Sequence, residues 1–136
     1  MNKFKCFLAV CVTLIFVGCG SRVTNVQNTE GFEEQIALAD SILLYFQQER
    51  FDKIVVHFDD KVKAQLNEKQ LAAVWAQLNA QAGKYTKSEF YRAEKMNAVG
   101  DRVVYKCNFS FQRLYFQLVF GKDNRIIGIF FKPQPN

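Results

Sequence analysis

The spacing of apolar residues changes at Gly83, from every third or fourth position before it to every second position after it. The first spacing follows the 3.6-residue turn of an α-helix, and the second follows the alternating side chains of a β-strand. The first half of the chain is therefore expected to be helical and the second half to form strands. Helices that precede a run of strands predict an α+β fold, in which the helices cover one face of an antiparallel sheet.

Three helices are predicted before Gly83. The first has glutamates in its first turn, where negative charge suits the helix dipole, and a short second helix over Phe51–Phe58 is expected to stop at Asp59-Asp60. The third begins at Asn67, which can form a capping box with Gln70. The apolar stripes of the first and third helices are Phe32, Ile36, Ala39, Leu43 and Phe46, and Leu71, Val74, Trp75, Leu78 and Ala82. Each stripe gives its helix one face to bury against the sheet.

Four strands are predicted after Gly83, in residues 85–96, 103–111, 114–120 and 125–132. Turns are expected at Val99–Asp101, at Gln112-Arg113 and at Gly121–Asn124, the last of which is a strong hairpin signal. Connections this short make consecutive strands antiparallel neighbours in a meander. The predicted fold is therefore three N-terminal helices packed on a four-stranded antiparallel sheet.

The first eighteen residues have the features of a secretory signal. Lys3 and Lys5 give a positive start, and the apolar run Cys6–Val17 follows. That run is about a dozen residues long, too short to cross the roughly 30 Å hydrocarbon core of a bilayer as a helix. Its ending, Gly18-Cys19, resembles the bacterial lipobox, in which the chain is cut before the cysteine and the thiol carries a diacylglyceryl group. An ordinary signal peptide with a coincidental cysteine is the alternative.

Lipidation at Cys19 divides the chain into a signal peptide at residues 1–18, a lipidated cysteine with a polar tether at residues 19–29, and a folded domain at residues 30–136. Removal of the two signal-peptide lysines lowers the net charge from +5 to +3. No basic stripe typical of nucleic-acid-binding proteins is present, so no nucleic-acid partner is expected. Gly20 in place of Asp, by resemblance to the enterobacterial sorting rule, favours an outer-membrane anchor in the cell envelope, with the domain facing the periplasm.

Cysteine and histidine are too few for a disulfide or a zinc site in the mature chain. Cys107 is the one cysteine left after processing and lipidation, and His57 is the one histidine. An intramolecular disulfide needs two cysteines, and zinc needs about four ligands. We therefore predict no metal and no cofactor. Because Cys107 lies in an alternating apolar pattern, it is expected to be a small buried residue.

Three stretches of the chain resemble a known family. They are Phe51–Val55, Leu66 with the helix Leu71–Gly83, and Val119–Phe131, although Asn124-Arg125 stands where Gly-Lys would be more typical. The chain resembles the nuclear-transport-factor-2-like, or cystatin-like, cone of helices on a curved sheet, and more narrowly the bacterial domain family DUF3887. That family has no established activity and no catalytic residues to carry over. The resemblance to the wider fold implies ligand binding in the cone, dimers through the sheet, accessory roles or, in some cases, isomerase activity.

Aromatic residues make up 15% of the chain and concentrate in the predicted sheet. The candidate pocket-lining residues are Trp75, Phe90, Tyr105, Phe109 and Phe116. If their packing leaves a void, the cone would bind a small apolar ligand. The other possibility is a homodimer through the outer side of the sheet, because Val104, Tyr115 and Val119 are expected to point outward.

Catalysis is the less favoured alternative. His57 could act as a base oriented by a nearby carboxylate, such as that of Asp59. A position at the end of a helix, however, by itself favours a protonated histidine. An isomerase would need a buried carboxylate opposite a phenol, and no spacing forces such a pair together. The candidates are Glu89 or Glu94 with Tyr91, Tyr105 or Tyr115, while Asp59, Asp60 and Asp123 suit turns and helix ends. We expect a non-catalytic ligand-binding or interaction domain, with a small isomerase- or hydratase-type enzyme, or an accessory protein or inhibitor of an envelope enzyme, as alternatives.

Overall fold

A computed structural model describes residues 29–135, which form four helices and four strands. The helices are α1 (Glu33–Gln47), α2 (Phe51–Val55), α3 (Asp60–Gln65) and α4 (Glu68–Ala82). The strands are β1 (Tyr85–Met96), β2 (Gly100–Phe109), β3 (Arg113–Phe120) and β4 (Ile126–Pro133). The predicted signal peptide, Cys19 and the tether up to residue 28 lie outside the described residues. No helix in the described range has the length and apolar character needed to cross a membrane.

The strands form one antiparallel sheet in the order β1-β2-β3-β4. The predicted α+β class and the four-stranded meander are therefore confirmed. Side chains alternate between an inner face, which the helices cover, and an outer face, which points away from them. The register shifts at three places, between Tyr85 and Lys87, between Phe90 and Arg92, and next to Val119. Such irregularities bend strands and increase their twist.

An aromatic cluster centred on Phe46 of α1 fills the space between helices and sheet. The Phe46 ring centroid lies 4.8 Å from that of Trp75 and 5.7 Å from that of Phe131. It lies 6.1 Å from Phe116 and 6.3 Å from Phe51, with interplanar angles of 86° and 71°. Edge-to-face contacts of this kind add to the roughly 1.5–3 kcal/mol gained by burying each such side chain. The cluster thus joins α1, α2 and α4 to the last two strands.

The prediction of three helices was wrong, because a fourth helix, α3, follows Asp59. The short second helix ends at Val55 instead of Phe58. Asp59 does not only stop that helix: its side chain accepts a hydrogen bond from the Val62 backbone N–H at 2.9 Å and caps α3. Aspartate is a favoured N-cap residue. The predicted capping box of Asn67 and Gln70 is confirmed, with both hydrogen bonds at 2.9 Å.

The end of β2 also differs from the sequence-based prediction. The strand stops at Phe109, and Phe111, which was expected on its buried face, is 76% exposed. After Phe109 the backbone pairs with the end of α4: the Phe111 N–H donates to the Ala82 carbonyl at 2.9 Å, and the Ser110 N–H donates to Lys84 at 2.9 Å. These bonds take Phe111 out of the sheet although the sequence continues to alternate.

The N-terminal turn of α1 is bonded to both hairpins at one end of the sheet. The buried Gln35 side chain donates to Asp101 at 3.2 Å and to Asn124 at 2.9 Å. Asn124 donates in turn to Glu34 at 3.0 Å. Asn124 has φ +59°, a left-handed conformation that Asn adopts more readily than most residues other than Gly. This explains how the turn forms at the position where Gly would be more typical.

Gly100 provides a test of the close approach between the start of β2 and the end of β3. Its φ is +144°, and an added Cβ would overlap the Phe120 carbonyl oxygen. Gly100→Ala is therefore expected to lower the free energy of unfolding by about 3 kcal/mol or more. Gly31→Ala is the matched control, because Gly31 also has a positive φ, +84°, but no atom within 4 Å of the added carbon. Its expected cost is about 1 kcal/mol. Urea unfolding measures both, and equal costs would contradict the close approach.

Candidate functional site

The five predicted pocket residues lie in the packed interior of the domain. Trp75, Phe109, Phe116 and Tyr105 are buried, and Phe90 is partly buried. The ring centroids of Trp75 and Phe109 are 6.0 Å apart, and those of Phe90 and Tyr105 are 5.7 Å apart. These residues therefore pack against one another and against their neighbours.

An apolar groove of about 340 Å³ opens between α4 and β4. Its walls are Leu66, Leu71, Val74, Leu78, Ile129 and Phe131. Phe46 also lines it, and its polar side chains come from Gln77 and Gln81. The lining of this groove includes none of the five residues predicted from the sequence. Its volume lies at the small end of the range for ligand pockets, which are mostly apolar with a few polar groups.

The groove residues on α4 belong to the apolar stripe that the sequence shows. Leu71 is buried, whereas Val74, one turn further on, is 46% exposed at the groove. The spacing of the stripe could not distinguish these two positions, because both belong to the same helix face. Trp75 lies next to the groove wall, with its ring centroid 6.1 Å from that of Phe131. Its fluorescence can therefore report on the occupancy of the groove.

The outer face of the sheet exposes less apolar surface than the sequence indicated. Val104 and Val119 point outward but are buried within the described chain. An added Cβ at Gly128, the partner of Val119 in the register, would meet the Phe130 ring. The Phe130 ring thus lies over this part of the sheet, and the Tyr115 ring stacks on that of Tyr91 in β1. The valines themselves offer little area to a partner.

Of the candidate phenols, Tyr91 and Tyr115 lie on the outer face and only Tyr105 lies on the inner face. Glu89 and Glu94 lie on the outer face by their register with β2, and Glu94 pairs with Arg102. Tyr105 points inward, and its hydroxyl donates to Asp40 of α1 at 2.5 Å. Burial, and then the hydrogen bond to Asp40, raise the pKa of Tyr105 well above its ordinary value. No predicted carboxylate therefore lies opposite the buried phenol.

Cys107 is buried on the inner face, as its pattern predicted. Burial raises the pKa of its thiol to about 12, so the nucleophilic thiolate is scarce at neutral pH. Within residues 29–135, histidine, cysteine, aspartate and glutamate side chains form no group of three that could hold a metal ion.

A family model confirms the relationship that the sequence indicated. The model described as "Protein of unknown function (DUF3887)" matches residues 39–129. The chain belongs to the DUF3887 family. No curated protein matches it, and no solved structure matches it. The matched part of the DUF3887 domain runs from α1 into β4 and contains the whole of α4, so it includes most of the groove.

His57 of the DUF3887 domain lies beside the β3–β4 hairpin. Its backbone carbonyl accepts from the Ile126 N–H at 2.9 Å, and Arg125 donates to the neighbouring Phe58 carbonyl at 3.3 Å. Burial, and then the Arg125 charge, lower the pKa of His57 below its ordinary 6.5. The expectation that the helix end would favour the protonated form was therefore wrong, because desolvation and a nearby cation disfavour it.

The direction of this pKa shift is testable, because the chain contains one histidine. Proton NMR titration of the His57 ring is expected to give a pKa below 6.5. Arg125→Gln should raise that pKa only partway, because burial remains, whereas Lys122→Gln in the same hairpin should change it less. Since folding lowers the pKa, stability is retained above pH 6.5 and lost as the pH falls through the lower folded-state value. A measured pKa at or above 6.5 would contradict the structure.

Proposed function

We propose that the protein is a lipid-anchored envelope lipoprotein whose DUF3887 domain binds a small apolar ligand in the α4–β4 groove without catalysing a reaction. The observation that carries the binding proposal is the groove itself. It is open to solvent, it has seven apolar lining residues, and its polar side chains are the two amides Gln77 and Gln81. An amide can orient a ligand by hydrogen bonding but cannot serve as a general acid or base at neutral pH.

The size and chemistry of the groove define the class of ligand. A space of about 340 Å³ suits one acyl chain or a small aromatic ring system. Transfer of such a group from water onto the apolar walls contributes about 25 cal/mol for each Å² buried. Val74, at 46% exposure, already leaves apolar area uncovered that a ligand would bury.

The proposed location rests on the N-terminal sequence. The apolar run ending at Gly18-Cys19 supports cleavage before the cysteine and lipidation of its thiol, and Gly20 supports the outer membrane with the domain facing the periplasm. We also propose that the domain is related to the nuclear-transport-factor-2-like fold, a cone of helices on a curved sheet. Helices on one face of a four-stranded sheet, with register irregularities that bend it, support this relationship.

Lipidation is tested by expressing the full chain in a bacterial host with labelled palmitate. The wild-type protein is expected to carry the label and to leave the membrane fraction only in detergent. Cys19→Ala should lose the label, because the acceptor thiol is gone. Cys11→Ala, which changes a cysteine inside the apolar run, should retain it. Mass spectrometry that finds the mature N-terminus anywhere other than residue 19 would refute the anchor.

Binding in the groove is tested with N-phenyl-1-naphthylamine, a neutral apolar probe, and with the fluorescence of Trp75. Val74→Arg places a charge at the groove and is expected to weaken probe binding at least about tenfold. Val56→Arg is the matched control, because Val56 is 57% exposed on a different helix end and lies outside the groove. Both sites are exposed enough for the variants to fold. Equal affinities for the two variants would place the binding site elsewhere.

A further inference from the structure

The outer face of the sheet is strongly basic. Its charged residues are identified by their register, since they alternate with the inward core residues on each strand. The basic side chains are Lys87, Arg92, Arg102, Lys106, Arg113 and Lys132. The acidic side chains are Glu89 and Glu94, and Glu94 lies between Arg92 and Arg102 in two ion pairs. The excess of positive charge on this one surface is four.

The rest of the described chain has the opposite sign. Outside the outer face, residues 29–135 contain nine lysines and arginines and eleven aspartates and glutamates. On the opposite side, α1 contains three acidic residues, Glu33, Glu34 and Asp40, and no basic residue. The domain is therefore electrically polarised, with the sheet positive and the helical side negative. Such an asymmetry orients a protein in the field of a charged surface.

Aromatic rings lie among the basic side chains of the outer face. Tyr91 and Tyr115 stack with ring centroids 5.5 Å apart. The Lys106 ammonium lies 4.4 Å from the Tyr91 centroid, and the Lys132 ammonium lies 5.5 Å from that of Phe130. Phe130 is 46% exposed. Tyrosine and other amphipathic rings beside lysine are typical of surfaces at the level of lipid headgroups.

We propose that the outer face docks on a bilayer surface containing anionic phospholipids. The proposal rests on the lipid anchor, which would hold the domain close to such a surface. Residues 20–28 can span at most about 30 Å, which is comparable with the length of the strands. This reach keeps the domain near the headgroups and allows the sheet to lie along them. The positive face would then meet the phosphates, and the helical side, which has a net negative charge, would point away.

A second copy of the chain is a poorer occupant of this face. Two outer faces brought together would oppose six basic side chains with six, and such like-charge contacts are unfavourable. A homodimer through the sheet, which was one of the two possibilities raised by the sequence, therefore lacks electrostatic complementarity. Anionic lipids supply the opposite charge over a broad area, and each lysine or arginine near the surface adds to the attraction.

The test uses a chain that begins at residue 20, which contains all the core residues from Phe32 to Ile126 and has no acyl group. Its sedimentation is measured with vesicles of phosphatidylcholine containing about 30% phosphatidylglycerol and with vesicles of phosphatidylcholine alone. Binding is expected with the anionic vesicles only, and it should weaken as the salt rises from about 0.1 M to 0.5 M. Because this chain lacks Cys19, its failure to bind would overturn the docking proposal and leave the lipidation result unaffected.

Paired variants locate the contact. Lys106→Gln with Lys132→Gln is expected to weaken vesicle binding roughly thirtyfold. Lys61→Gln with Lys63→Gln on α3 changes the net charge equally and should weaken it much less. Lys87→Gln with Arg113→Gln, at exposed outer-face positions, repeats the test without touching the rings. Equal losses for the α3 and outer-face pairs would overturn the proposal. So would a dimer that outer-face variants abolish, or tight binding to a soluble polyanion with none to vesicles.

Discussion

The packing of Phe46 against rings from four other elements is the interaction on which the structure depends. Its neighbours come from α2, α4, β3 and β4, so one side chain of the first helix sets the position of both layers. Large-to-small changes at such a position cost about 3–5 kcal/mol, a large part of the stability of a small domain. The groove, the hairpins and the charged outer face all keep their positions relative to this cluster.

The groove lies between a helix and the edge strand of the sheet. Among the described residues, β4 is the edge strand of the sheet, and its Ile129 and Phe131 line the groove together with residues of α4. Leu71 is buried by the core, and Val74 is left beside open space. A ligand or partner that covers this apolar surface removes it from water, which is energetically favourable.

Much of the fold could be predicted because local signals and tertiary packing agree. The alternation in residues 103–109 and 114–120 faces one core, and Asn67 with Gln70 caps α4 as the sequence indicated. The sequence-based prediction missed α3 because an aspartate can end one helix or cap the next. Which of these roles Asp59 has depends on the direction that the backbone takes after it. Phe111 was misplaced because its backbone pairs with Ala82, a long-range choice that alternation does not encode.

The candidate site was harder to predict for a physical reason. Aromatic content indicated an interior pocket, but rings of this size interpenetrate, and whether a void remains depends on packing at the level of single atoms. The charge of the outer face was equally hidden. Its six basic residues are spread over four strands, and the net charge of +5 does not show that they share one surface. Only the register places them side by side.

The composition of the aromatic cluster also bears on when the domain can form during biosynthesis. Phe46 is made early, whereas Phe116 and Phe131 lie in the last two strands. Contacts between residues so distant in sequence form slowly and require nearly the whole chain. A partly synthesised chain that lacks β4 cannot complete this aromatic cluster. The complete core thus depends on the last described strand, which supplies Phe131 to the cluster.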